Sequence, residues 1–200
     1  MDKSTRRGGL FHEKRHLRHS HRTGLEHVMT TIAENADLST RTSLRIGGPA
    51  RYYCEPSTRE EVIEAIRWAL DKSLPVLPLG RGSNVLISDH GWPGLAINVS
   101  AAFTAIDWDH DCATAPGGAL LHTLVRHSVE RELRGIESLA GIPGTVAGAA
   151  VMNAGAFGRY IGAVIDTVEY AALNDGAVHT LGADQLEMEI GRASCRERVC

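Results

Sequence analysis

Two glycines one residue apart, Gly80 and Gly82, stand between the apolar runs Val76-Leu77-Pro78-Leu79 and Val85-Leu86-Ile87. A strand must stop at Leu79, the backbone must turn sharply, and no Cβ keeps a bulky group away from the turn. Successive N–H groups in such a turn form a concave nest that suits a phosphate or pyrophosphate. Ser83 and Asn84 add short donors, and Arg81 a counter-charge. A lone Gly-x-Gly fits an ordinary strand-to-strand turn equally well. The second landmark, residues 135–159, favours a ligand. It reads G-I-E-S-L-A-G-I-P-G-T-V-A-G-A-A-V-M-N-A-G-A-F-G-R and carries no charge from 138 to 158. Small residues permit close backbone approach, and uncharged ones suit a flat aromatic ring. Composition alone leaves a tightly packed Gly/Ala helix contact as the competing reading.

Two hundred residues suffice for one domain or two small ones with a real core. The net charge of -3 is unevenly placed. Residues 1–28 hold Lys3, Arg6, Arg7, Lys14, Arg15, Arg18 and Arg22 against Asp2, Glu13 and Glu26. The remaining body is acidic and offers no electrostatic reason for a nucleic-acid partner. The uncharged stretch is broken by Pro143, Asn153 and repeated glycines, so no membrane span is expected there. Cys54, Cys112, Cys195 and Cys200 form no C-x-x-C pair, which favours a reducing, cytoplasmic setting. His12, His16, His19 and His21 would chelate a metal only if the leader were helical. The expectation is instead a disordered or non-native leader at 1–28 with Met29 as the start, and no metal site.

The central chain reads as strand, helix, strand and glycine turn. A Gly-Gly-Pro turn at 47–49 precedes a strand over 51–55. Ser57 and Glu60 have capping-box spacing and open a helix to about 72, with Val62, Ile63, Ile66, Ala69 and Leu70 on one face. Strand 76–79 then delivers the chain to the glycine loop at its carboxyl end, where ligands of α/β units bind. Short strands are predicted over 95–99, 103–108 and 112–115, with Pro116-Gly117-Gly118 after them. A second helix over 120–132 points Leu121, Leu124, Val125, Ser128 and Val129 inward. His122 and His127 are five apart, off the same-face spacing, and are read as surface or packing residues. A strand over 164–173, a turn at Asn174-Asp175-Gly176 and a return strand over 178–181 follow. A short helix or turn is expected over 183–188.

Four motifs occur in order: T-S-L-R-I-G-G-P-A (42–50), L-G-R-G-S-N-V-L (79–86), L-A-G-I-P-G-T-V-A-G-A-A-V-M-N-A-G-A-F-G (139–158) and L-x-x-x-Q-L-E-M (181–188). Each is moderately specific and the ordered set is highly so. Over roughly 38–188 the chain resembles the UDP-N-acetylenolpyruvoylglucosamine reductases (UDP-N-acetylmuramate dehydrogenases) of bacterial peptidoglycan synthesis. The resemblance implies an α+β fold, an FAD-binding domain of the vanillyl-alcohol-oxidase type with flavin between two α/β subdomains, over 29–188. It implies that Gly80, Arg81, Gly82, Ser83, Asn84 and Val85 hold the pyrophosphate. Ile142, Pro143, Gly144, Gly148, Ala149, Asn153 and Gly155 would line the flavin and ribityl region. FAD would relay hydride from NADPH to the enolpyruvyl group of a small-molecule UDP-sugar.

Three departures stand out. Ala147 replaces a usual glycine and is expected to crowd its turn slightly, and Phe157 replaces a usual tyrosine. The family also continues with Gly-Tyr-Arg-x-Ser, where this chain reads Met188-Glu189-Ile190-Gly191-Arg192-Ala193-Ser194. Residues 189–199 are similar to a translated sequencing-library adapter, so a non-native tail over 189–200 is expected. On this reading the carboxy-terminal substrate domain is missing, the fragment is inactive by itself, and no catalytic residue can be assigned. Two other readings remain: another FAD oxidoreductase of the same superfamily, or a non-catalytic flavin-binding module. A covalent flavin tether would need a His or Cys, and His90 is the nearest candidate to the loop.

Overall fold

The computed structural model describes residues 30–100, 104–189 and 192–195. The expected leader at 1–28, Met29, the first residue of the strand predicted over 103–108, and residues 190, 191 and 196–200 of the expected tail lie outside the described residues.

The first unit is built on four strands: β1 (Ala33–Asp37), β2 (Pro49–Cys54), β3 (Val76–Leu79) and β4 (Trp92–Asn98), ordered β1-β2-β4-β3. β1 runs antiparallel to β2, whereas β2 and β3 both run parallel to β4. Side chains alternate across such a sheet, so neighbouring residues enter different cores. Cys54, Leu95 and Ile97 face Ala65, Ile66 and Ala69 of helix α1 (Arg59–Asp71). On the opposite face Tyr53, Ala96 and Leu79 pack against Leu38 and Ile87. Central β4 is therefore buried on both faces, which explains its nearly continuous apolar sequence.

α1 starts one residue later than the Ser57–Glu60 spacing predicts. Thr58 is the cap, its hydroxyl accepting from the Glu61 N–H at 3.2 Å, while the Glu61 carboxylate accepts from the Ser57 N–H at 2.5 Å. Glu60 and Glu61 then sit in the first turn, where the helix dipole favours negative charge. The helix ends as Ser73 takes φ 53 and the Leu74 N–H returns to the Ala69 carbonyl at 2.9 Å. This left-handed closure stops the helix before Pro75 does.

The second unit holds the hairpin β5 (Asp107–Asp109) and β6 (Cys112–Thr114), helix α2 (Leu121–Glu130) and short helix α3 (Val146–Val151). Its core is Leu121, Leu124, Val125, Ile136, Leu139, Ala149 and Ile161. Val129, predicted inward, is exposed, because the buried stripe of α2 is only as wide as Leu121, Leu124, Val125 and Ser128. The uncharged stretch contributes only the six residues of α3 as helix, and among the described residues no helix is long and apolar enough to cross a membrane.

The chain then makes three hairpins: β7 (Gly155–Ala156) with β8 (Arg159–Tyr160), β9 (Thr167–Ala171) with β10 (Val178–Gly182), and β11 (Leu186–Glu189) with β12 (Arg192–Cys195). The strand predicted over 164–173 is shorter because a 3-10 turn at Ile161–Ala163 occupies the approach to it. Hairpin β9–β10 goes back to the first unit. Ala171 and Leu173 pack on the α1 cluster, and Arg59 pairs with Glu169 at 3.0 Å.

Candidate functional site

Leu79 is the last residue of β3, so the glycine turn lies at the carboxyl end of the parallel strands. Gly82 has φ +62, and its carbonyl accepts from the Ser43 N–H at 3.0 Å. The turn is thereby held against the segment 41–43. A Cβ at Gly82 would overlap the Arg41 carbonyl oxygen and lie 2.8 Å from the Thr42 Cα. Glycine is demanded here by both torsion and space.

The two glycine-rich landmarks meet. The Ser83 hydroxyl donates to the Pro143 carbonyl at 3.3 Å, across sixty residues of sequence. A Cβ at Gly80 would stand 2.7 Å from the Thr145 hydroxyl oxygen, and one at Gly144 2.9 Å from the Ser83 hydroxyl oxygen. Thr145 is buried and caps α3, its hydroxyl accepting from the Gly148 N–H at 3.3 Å. The bend at 144–147 is fixed from behind. Gly144 O accepts from Leu121 N at 3.1 Å, and Val146 N and Ala147 N donate to Ala119 O and Gly117 O at 2.8 and 3.0 Å. A Cβ at Gly117 would meet the Ala147 methyl at 3.0 Å, so Gly117 supplies the room that Ala147 takes.

The other residues singled out from sequence are distributed around this junction. Arg81 and Asn84 are exposed, while Val85 is half-buried and packs on the first core. Ile142 packs on the second core and Ala149 belongs to it, so the Ala149 methyl is committed to packing. Gly148 is exposed beside it. Asn153, buried at φ 42, accepts from the Gly162 N–H through Oδ1 at 3.1 Å, holding the exit of α3. Gly155 begins β7, and a Cβ there would overlap the Tyr160 ring.

The hairpin between β7 and β8 turns through Phe157 at φ 54 and Gly158 at φ 77. Two positive φ values suit an Asn-Gly pair, and a bulky residue at the first is strained. Phe157 is 97% exposed, so no packing offsets that strain. Phe157→Asn is expected to raise stability by about 0.5–1 kcal/mol, read as a higher urea midpoint.

Sequence inspection missed a polar network at the carboxyl ends of β2 and β4. The Tyr53 hydroxyl donates to Glu55 Oε1 at 2.5 Å and accepts from Asn98 Nδ2 at 3.0 Å. Asn98 Oδ1 accepts from the Ser100 N–H and hydroxyl at 2.9 and 2.7 Å. Glu55 Oε1 pairs with the Arg41 guanidinium at 2.9 Å, and that guanidinium lies 5.0 Å from the centre of the Tyr53 ring. A cleft of about 490 Å³ opens beside them, lined by Arg41, Tyr53, Glu55, Ser57 and Glu61 among others. These residues are scattered in sequence and carry no motif. Alternation along β2 is the one signal that could have turned Tyr53 inward.

Burial, helped by the Glu61 and Glu55 carboxylates, pushes the Cys54 thiol up to about 12. Burial also raises the Tyr53 hydroxyl, with Glu55 adding to the rise and the Asn98 hydrogen bond opposing it. The folded state holds both protons more tightly than the unfolded chain. The Cys54 contribution to stability is complete below the ordinary thiol value of 9.0 and is lost as pH rises through about 12, and the Tyr53 contribution is lost at higher pH still. Melting temperature is expected to fall from pH 9.0 upward, less steeply in Cys54→Ala.

The donor set fits a dinucleotide pyrophosphate. Among the described residues no backbone hydrogen bond consumes the N–H of Gly82, Ser83 or Asn84. The two glycine-rich segments also lie close together, since a Cβ at Gly80 would crowd Thr145 and one at Gly144 would crowd Ser83. Among the described residues there is no grouping of three His, Cys, Asp or Glu suited to a metal.

Several known proteins are similar to this chain. A curated UDP-N-acetylenolpyruvoylglucosamine reductase from Clostridium botulinum (strain Eklund 17B / Type B) is 39% identical over 159 residues, covering 80% of this chain and 52% of the relative. The protein of the same name from Synechococcus sp. (strain WH7803) is 38% identical over 158 residues, covering 78% of this chain and 51% of the relative. The chain thus spans about half the length of the curated relatives it matches. The crystal structure of UDP-N-acetylenolpyruvylglucosamine reductase from Thermus caldophilus aligns with a TM-score of 0.65 at 31% identity, covering 82% of this chain and 56% of that one. At 14% identity, 6-hydroxy-D-nicotine oxidase from Arthrobacter nicotinovorans shares the fold, with a TM-score of 0.62 over 81% of this chain and 38% of its own. The α+β fold of the vanillyl-alcohol-oxidase type, expected from the motifs, is the fold of these neighbours. Residues 50–182 match the family described as the FAD binding domain, well over half of the chain, and the chain belongs to that family.

Proposed function

We propose that this chain is the flavin-binding part of a UDP-N-acetylenolpyruvoylglucosamine reductase acting in the cytoplasm, in peptidoglycan synthesis. The observation that carries the reading is the convergence of the two motifs, with Ser83 on Pro143 and Gly80 against Thr145. The names and identities of the relatives support the substrate, a UDP-sugar bearing an enolpyruvyl group. The chemistry that FAD supplies when bound is hydride transfer, from NADPH to the enolpyruvyl double bond. Residues 29–188 form the binding unit. Gly80, Arg81, Gly82, Ser83, Asn84 and Val85 hold the pyrophosphate, mainly through backbone N–H groups. Ile142, Pro143, Gly144, Gly148, Ala149, Asn153 and Gly155 form the small, uncharged wall beside the flavin and ribityl chain. Asn153 supports this wall by fixing the exit of α3, its N–H donating to the Ala150 carbonyl at 3.0 Å and its Oδ1 accepting from the Gly162 N–H.

Neither motif contains a His or Cys, and the nearest candidate for a tether, His90, lies outside both, so a non-covalently held flavin is the expected outcome. Titrating the purified chain with FAD is expected to quench flavin fluorescence at one equivalent. Acid precipitation should then release all the yellow colour into the supernatant. Absence of quenching would remove the flavin-binding reading, and colour retained in the pellet would favour a covalent oxidase of the same fold.

A further inference from the structure

The Arg41–Glu55–Tyr53–Asn98 network has an unusual course. Asn98 is the register partner of Leu79, the residue immediately before Gly80, and the Val99 N–H donates to the Leu79 carbonyl at 3.0 Å. One end of the network therefore sits beneath the entry to the glycine turn. From Asn98 the hydrogen bonds cross β2 through Tyr53 and Glu55 to Arg41. The Arg41 carbonyl is the atom against which Gly82 is seated, and Ser43 grips the Gly82 carbonyl two residues further on. The other end thus arrives at the exit of the same turn.

We propose that Arg41, Glu55, Tyr53 and Asn98 are positioning residues for the turn at 80–82, fixing the distance between its two ends and so its affinity for a dinucleotide pyrophosphate. The inference rests on the flavin-binding reading above. A network that only strengthened the sheet would have no need of Arg41, which lies outside the strands. The Arg41 and Glu55 side chains are 44% and 38% exposed, and an ion pair that open to water adds little to global stability. Its geometric effect on the turn is separate from that small contribution. A rigid turn presents its N–H groups already aligned, so less ordering is needed when an anion binds.

The test compares FAD and riboflavin, which lacks the pyrophosphate, on the whole chain and on Arg41→Gln, Tyr53→Phe and the double variant. Each single change is expected to weaken FAD binding by about tenfold. The double variant should bind no more weakly than the worse single one, because either break opens the same circuit. Riboflavin affinity and the flavin-free melting temperature of Arg41→Gln should stay unchanged. Unchanged FAD affinity, losses that simply multiply, or a loss that tracks the melting temperature or extends equally to riboflavin would overturn the proposal. If the unaltered chain bound no FAD, the flavin-binding reading itself would fall.

Discussion

Gly82→Ala is expected to cost about 3 kcal/mol and to abolish measurable FAD binding. The Cβ would have to sit inside the Arg41 carbonyl oxygen, and all three atoms it meets are backbone, which cannot rotate away as a side-chain tip can. The residue would also be held at φ +62, where an L side chain adds about 1–2 kcal/mol. Gly158→Ala separates the two causes. Gly158 has a similar φ of +77, but an added Cβ has nothing within 4 Å. That variant should carry only the torsional cost. Denaturant unfolding of both, with FAD titration of Gly82→Ala, checks the difference. Equal destabilisation by the two would show that the seat on Arg41 is soft.

Leu121→Ala is the second large effect, about 3–4 kcal/mol of a total that for ordinary domains is about 5–15 kcal/mol. Leu121 is fully buried among Leu124, Val125, Ile136 and Leu139, so its removal leaves a hole that surrounding side chains fill only in part. For a chain of this length the melting temperature should drop by roughly 10 °C. The consequence reaches the site as well. The Leu121 N–H holds the Gly144 carbonyl at 3.1 Å, and Gly144 faces the Ser83 hydroxyl. FAD affinity should therefore fall even at temperatures where the variant remains folded. A variant that melts early yet binds FAD normally would uncouple the second core from the glycine junction.

Legibility in the sequence followed the reach of each interaction. α1 was readable because its apolar face and cap lie within fifteen residues, though the cap fell on Thr58 rather than Ser57. β3 and its glycine turn were readable because two glycines interrupt an apolar run. β1 was not, since Ala33-Glu34-Asn35-Ala36-Asp37 has almost no strand propensity, and antiparallel pairing with β2 makes it a strand. The sheet order, with β4 inserted between β2 and β3, depends on tertiary pairing that periodicity does not encode. The site divides in the same way. Glycine spacing marks the loop and the uncharged stretch proposed to hold the flavin, whereas Arg41, Tyr53 and Asn98 are brought together only by the pairing of β2 with β4 and the turn before β2.

The return of β9–β10 to α1 also bears on the order of events during synthesis. Arg59 and its partner Glu169 are about 110 residues apart, and Ala171 and Leu173 cover part of the apolar cluster that α1 shares with the sheet. At ribosomal rates of about 5–20 residues per second, that cluster waits on the order of ten seconds for its last cover. Throughout that interval the nascent first unit presents unsatisfied apolar surface, and the second unit must be synthesised before the first can close. Chaperone demand should accordingly peak late in translation, and should ease when residues 167–182 emerge.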